Sequence, residues 1–192
     1  LKAGLQLKLF FFSFLLFSVT ANVVLDPDTA HPSLHLSKDR KNISEVFEDQ
    51  CRRKTPKRFE EWEYVLGCQG FSTGRHFWEV TVEKKGEWAV GIAKQSVNRK
   101  GDSDLCPEGG IWEIGTWGGT YQANIPPECP ELPPTKNPKK IRVSLNCEGG
   151  QVTFFEAETA ALLYTFSEAP LAGESLLPSF FLCLNACLTL AP

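Results

Sequence analysis

The residues best equipped for chemistry in this chain are Ser72, three histidines and seven cysteines. Gly70-Phe71-Ser72-Thr73-Gly74 fits the G-x-S-x-G pattern of hydrolases, where a serine hydroxyl attacks a carbonyl as a histidine takes its proton. That chemistry needs a strand before the serine, a helix after it and a histidine returning from a distant segment. Here an alternating β-run follows Ser72, and the only later histidine, His76, sits within that run. No catalytic residue is assigned, and the chain is expected not to be an enzyme. His31 and His35 form no metal pattern with each other or with a carboxylate pair. The cysteines, at 51, 68, 106, 129, 147, 183 and 187, contain no CxxC pair, and Cys183 and Cys187 have no histidine beside them. No metal site is expected from such spacing. Reduced, half-buried thiols are the expected state, since a disulfide framework needs an extracellular setting and would leave one thiol over. With no P-loop, dinucleotide fingerprint or H-E-x-x-H, no cofactor is expected either.

The elements that carry these residues read as strands. Gly and Pro punctuate short β-branched and aromatic runs, and no long 3.6-period apolar stripe occurs, which is the pattern of an all-β sandwich or barrel. In 77–83, Trp78, Val80 and Val82 share one face, and Glu79, Thr81 and Glu83 the other. Lys84-Lys85-Gly86 turns the chain into 87–93, where Trp88, Val90 and Ile92 oppose the small residues Ala89, Gly91 and Ala93, so a neighbouring layer can approach closely. Ile141, Val143 and Leu145 alternate likewise, Glu148-Gly149-Gly150 predicts a tight turn, and 151–155 returns as the partner. Further strands are expected over 162–166, 179–184 and 187–190. The only helix expected is a short one over 42–48. Pro126, Pro127, Pro130, Pro133 and Pro134 lack the donors of a central strand and predict a long surface loop.

The 192 residues suffice for one domain with a real core, and 42% apolar with 22% charged residues is ordinary for a globular fold. A net charge of −3 gives no support to a nucleic-acid partner. The basic stretch 52–58 is followed at once by Glu60, Glu61 and Glu63, as in a solvated, self-compensating loop. Fourteen Phe, five Trp and three Tyr suit both the space between two sheets and a binding surface.

Residues 1–21 are expected to lie outside the folded domain, which then spans 22–192. The apolar run after Lys8 is shorter than the roughly 20 residues a spanning helix needs. Two readings stand. One is a secretory signal ending in Val19, Thr20 and Ala21, which would make the protein secreted. The other is a translated intron end, since Phe, Leu and Ser have pyrimidine-rich codons; the domain is then expected in the cytoplasm. The chain begins at Leu1 and contains no methionine, as expected of a fragment, a processed chain or a translation lacking its true start. No membrane insertion by 22–192 is expected.

The order of motifs resembles the PRY–SPRY (B30.2) domain of tripartite-motif proteins, butyrophilins and the secreted vespryns. Val24-Leu25-Asp26-Pro27-Asp28-Thr29-Ala30-His31-Pro32 is similar to the PRY opening. Val65 to Phe71 and Ser72 to Val80 are similar to the entry of the SPRY part, followed in order by Trp88 to Ala93, Ser96 to Gly101, Gly109 to Trp112 and Leu188 to Leu190. The chain departs from the family at Leu145-Asn146-Cys147-Glu148, where Leu-Asp-Tyr-Glu is frequent, and in a shorter loop between Leu184 and Ala186.

The resemblance implies a two-layer antiparallel β-sandwich that binds a protein or peptide on loops at one end. Trp117 and Tyr121, flanking Gly118-Gly119-Thr120, fall where relatives place aromatic contacts. Either Trp117 is presented outward or it packs against the sandwich; Trp78, Trp88 and Trp112 are expected in the core. The implied function is the recognition domain of a tripartite-motif-type protein. A vespryn-like secreted protein is one alternative. The other is a butyrophilin-type sensor of phosphorylated metabolites, for which Arg75, His76 and Arg99 are the candidates. Asn42-Ile43-Ser44 is a glycosylation sequon, used only in the secretory path.

Overall fold

The alternating runs pair into thirteen strands in the computed structural model, which describes residues 18–46, 50, 53–84, 86–101, 105–132, 138–167 and 169–192. They are β1 (Val19–Thr20), β2 (Leu34–Leu36), β3 (Asn42–Glu45), β4 (Tyr64–Leu66), β5 (Arg75–Lys84), β6 (Glu87–Lys94) and β7 (Ile111–Trp117). After these come β8 (Thr120–Ala123), β9 (Lys140–Asn146), β10 (Gln151–Glu156), β11 (Leu162–Phe166), β12 (Leu176–Cys183) and β13 (Cys187–Leu190). Eight of them form one sheet in the order β11-β10-β9-β5-β13-β3-β2, with β1 pairing β5 in parallel; five form the other, β4-β12-β6-β7-β8. All remaining pairs are antiparallel, so the expected two-layer sandwich is the observed one. No helix among the described residues is long and apolar enough to cross a membrane.

Side-chain period explains the core. Trp78, Val80, Ile141, Val143, Leu145, Val152 and Phe154 of the larger sheet meet Trp88, Val90, Ile92, Trp112, Ile114, Phe180 and Leu182 of the smaller one. Each large apolar side chain so buried contributes roughly 1.5–3 kcal/mol. The small residues Ala89, Gly91 and Ala93 face outward from the smaller sheet. A side chain at Gly91 would meet the Trp112 carbonyl and the Glu113 backbone, so β7 can lie this close only against glycine. Ala89 and Ala93 pack under a second apolar cluster with Phe59, Tyr64, Leu66, Val97, Ile111, Leu177 and Phe181.

The front segment is a structural clamp. Asp26 Oδ1 accepts the Asp28 N–H at 3.0 Å, while the Thr29 hydroxyl donates to the Asp26 carbonyl at 2.8 Å and accepts the Leu66 N–H at 3.0 Å. His31 Nε2 reaches the Glu60 carbonyl at 3.1 Å and its Nδ1 accepts the Ser33 N–H at 3.2 Å. These bonds tie residues 23–34 to β4 and bury Val23, Leu25, Ala30 and Leu34.

Two expectations are corrected. The helix over 42–48 is a strand over Asn42–Glu45, with 47–49 outside the described residues. Ile43 is fully buried, and β3 is paired on one side by β2 and on the other by β13, so tertiary pairing overrides local preference. The strand expected to begin at Ser179 begins at Leu176 and contains Pro178. Pro178 is tolerated because its carbonyl accepts the Gly67 N–H on the β4 side, where the ladder proper starts only at Ser179. The Pro-rich stretch lies outside the sheets as a loop through Leu132, with 133–137 outside the described residues. It shields the β8 edge, the Ala123 N–H donating to Pro130 and the Leu132 N–H to Tyr121.

Candidate docking site at the loop end

Three turns come together at one end of the smaller sheet: β5–β6, β7–β8 and β12–β13. Gly118 and Gly119, at φ 58° and 80°, close the β7–β8 hairpin with nothing near where a side chain would stand. The Gly118 N–H donates to Glu87 Oε1 at 2.7 Å, joining this turn to the start of β6. At the β12–β13 turn, Leu184 and Asn185 both have positive φ, 55° and 65°, and the Asn185 N–H donates to Glu45 Oε2 at 2.6 Å. Leu184 is 60% exposed. Trp62, 40% exposed, directly precedes Glu63, whose carbonyl accepts the Leu182 N–H.

Parity across the two-residue turn separates the two predicted aromatic contacts. Trp117 pairs with Thr120, and Thr116 with Tyr121, so Trp117 and Tyr121 project from opposite faces. Trp117 lies on the outer face, half-buried, packed against the second cluster with Leu105 and Cys183. Tyr121 lies on the inner face, its ring 5.9 Å from that of Trp88, its hydroxyl buried without a partner. Burial pushes its phenol far above the ordinary range.

The cationic candidates also lie apart. Arg99 donates to the Lys57 carbonyl at 3.1 Å and the Gln95 carbonyl at 2.9 Å and stands 5.9 Å over the Phe59 ring. It anchors residues 53–60 together with Arg58, whose Nη1 donates to the Pro27 carbonyl at 2.9 Å and also to that of Ala30, and with Lys100, bound to the Thr55 and Arg58 carbonyls and to Glu60. Arg75 and His76 start β5 in the other sheet, and as strand neighbours they project to opposite faces. The His76 ring stacks on Phe71 at 4.2 Å, and its Nε2 sits 2.8 Å from the Thr73 carbonyl. Ser72 is followed by β5, with no helix between. Asn42 lies on β3, its Oδ1 accepting the Thr189 hydroxyl at 2.7 Å and its Nδ2 donating to Ser37 Oγ at 3.3 Å. Cys68, Cys106, Cys129, Cys147 and Cys183 are free thiols, and Cys51 is outside the described residues; among the described residues no group of three or more His, Cys, Asp or Glu could hold a metal ion.

Sequence reasoning missed a buried polar cluster on the outer face. Glu113 is fully buried, its Oε1 accepting the Tyr64 hydroxyl at 2.6 Å and Asn124 Nδ2 at 2.9 Å. Its Oε2 and the fully buried Ser179 hydroxyl have no partner. Burial pushes the Glu113 carboxyl up to about 7, against the lowering effect of the bonds from Tyr64 and Asn124. The signal available was a lone acid between Trp112 and Ile114 in an otherwise apolar run. Trp62 and Leu184 were missed as well; a tryptophan set among Glu60, Glu61 and Glu63 was the cue for the first.

Comparison with known proteins agrees with the fold and its front clamp. The SPRY domain family matches residues 75–191, and the SPRY-associated domain (PRY) matches residues 23–71. Butyrophilin subfamily 1 member A1 of Bos taurus is 38% identical over 175 residues, 89% of this chain and 32% of the relative. The E3 ubiquitin-protein ligase TRIM58 of Mus musculus is 39% identical over 176 residues, 89% of this chain and 35% of the relative. The chain thus spans about a third of the length of these curated relatives. Among solved structures, the TRIM65 PSpry domain superposes with a TM-score of 0.77 at 25% identity, covering 90% of both chains. Stonustoxin, at 23% identity and a TM-score of 0.78 over 90% of this chain and 29% of its own, shares the fold. With both family segments matched in order across one sandwich, the chain belongs to the PRY–SPRY family.

Proposed function

We propose that the protein is a binding module that docks a partner protein or peptide at the loop end of the smaller sheet, as the recognition domain of a tripartite-motif-type protein. The observation that carries this is the exposure of Trp62 and Leu184 at the same end as the half-buried Trp117, where the turns are braced by Glu45 and Glu87. Tryptophans that become buried at the centre of an interface are among the side chains through which interfaces gain most of their energy, with neighbouring apolar groups excluding water. Relatives support the class: family members occur in ubiquitin ligases and butyrophilins. Ligase chemistry would belong to other parts of such a protein, with this domain selecting the target.

The test is partner capture by the wild type and by Trp62→Ala, Trp117→Ala and Leu184→Asp, each first checked for an unchanged thermal midpoint. Loss of capture in at least two variants is expected. Full capture by all three would remove this end from the interface. Tyr121→Phe serves as a control from the inner face.

A further inference from the structure

We infer that the partner docked at this end is a positively charged peptide segment with an apolar anchor, its lysine or arginine side chains facing Glu63 and Glu87 while the anchor covers Trp62 and Leu184. The inference rests on the docking function above and specifies the chemistry of the partner.

Charge is distributed unevenly around this end. Cys183, at the close of β12, pairs with Glu87 across the ladder and packs against the same apolar cluster as Trp117. Main-chain geometry brings three acidic residues to this end: Glu87 pairs with Cys183, Glu45 accepts the Asn185 N–H, and the Glu63 carbonyl accepts the Leu182 N–H; burial first, then these charges, push the Cys183 thiol up. Glu45 and Glu87 each brace a turn by accepting a backbone N–H, and neither is in an ion pair among the described side chains. Five described cations are engaged elsewhere: Arg58, Arg99 and Lys100 on residues 53–60, and Lys140 and Arg142 on Glu79 in the other sheet. An exposed indole and an exposed leucine beside carboxylates that make no ion pair among the described side chains suit a partner whose cations stack on an indole face and meet carboxylates. An acidic partner would meet like charge.

The experiment selects a displayed library of random short peptides on the immobilised full chain. Recovered peptides are then titrated by tryptophan fluorescence at low and high salt. Recovered peptides are expected to be net positive, to carry a leucine or an aromatic residue, and to weaken with salt. Their affinity is expected to fall roughly tenfold in Glu63→Lys and in Trp62→Ala, less in Glu63→Gln. Because the Lys84-Lys85 pair stands at the β5–β6 connection at this end and carries the same sign as the inferred partner, Lys84→Ser/Lys85→Ser is expected to bind at least as tightly as the wild type. Neutral or acidic peptides, undiminished binding to Glu63→Lys, or no recovered peptide would overturn the inference. In the first two cases, continued dependence on Trp62 or Trp117 leaves the docking function standing; binding indifferent to Trp62, Trp117 and Leu184 ends both.

Discussion

Replacing Glu113 by glutamine isolates a buried acid whose proton is bound and released within the pH range in which unfolding is readily measured. The carboxyl ordinarily titrates at 4.5, and its buried site moves it to about 7. Between these two values the folded chain holds a proton that the unfolded chain has released. Stability from this group is therefore complete below pH 4.5 and falls as pH rises to about 7, with no further loss above. A difference of some 2.5 units corresponds to about 3 kcal/mol, a large part of the total stability of a domain this size. Glutamine resembles the protonated acid: its oxygen can still accept from Tyr64 and Asn124, and its amide replaces the hydroxyl at the Oε2 position. Urea unfolding of wild type and Glu113→Gln at pH 5, 6, 7 and 8 reads the effect as a difference in which other titrating groups cancel. Near pH 5 the two proteins are expected to agree within about 1 kcal/mol, and by pH 8 the variant is expected to be more stable by about 3 kcal/mol. A difference independent of pH, or one that moves against the variant as pH rises, would refute the assignment of a protonated acid at this site.

Arg58→Met removes the donors for the Pro27 and Ala30 carbonyls and should cost about 2–4 kcal/mol, with earlier proteolytic cleavage within residues 53–60. Tyr121→Phe deletes a buried hydroxyl that has no partner, so the thermal midpoint is expected to stay equal or rise, with partner binding unchanged. Gly119→Val forces a β-branched residue to φ 80°, and calorimetry should find about 1–3 kcal/mol of lost stability although the space is open.

Sheet faces were legible where the two sides of a strand meet different surroundings. Residues 77–83, 87–93, 141–145 and 151–155 alternate because one side packs between the sheets, and their inner residues are the observed core. Elements held by neighbours rather than by pattern were not legible. β3 carries one buried residue, Ile43, between polar ones, so its strand identity comes from β2 and β13. At the loop end proposed for docking, the residue types were informative but the facing was not. Trp117 and Tyr121 look like a pair until the two-residue Gly118-Gly119 turn is counted through, which sends Tyr121 to the inner face. Arg75, His76 and Arg99 read as a basic group only in sequence; folding leaves Arg99 binding main-chain carbonyls and the other two on opposite faces of β5. Glu113 stands at a position that alternation assigns to solvent. What buries it is Tyr64 and the second apolar cluster, supplied by distant segments.

That outer face would join stability to the proposed docking. Along one strand, β12, Ser179 lies sealed at the level of Glu113, Phe181 packs against the Tyr64 ring at 5.2 Å, and Cys183 opens onto the carboxylates of the loop end. Tyr64 contacts both levels, through its hydroxyl to Glu113 and its ring to Phe181, and Trp62 lies just before it in the chain. Ionisation of Glu113 strengthens the hydrogen bond that fixes Tyr64 but leaves a buried charge, so these two effects oppose each other in the segment carrying Trp62. Substitutions at Trp62 and Leu184, which add little to the core, should alter affinity without moving the unfolding midpoint. Substitutions at Glu113 should do the reverse, except through Tyr64. A binding change in Glu113→Gln that disappears in Tyr64→Phe/Glu113→Gln would identify that hydrogen bond as the link.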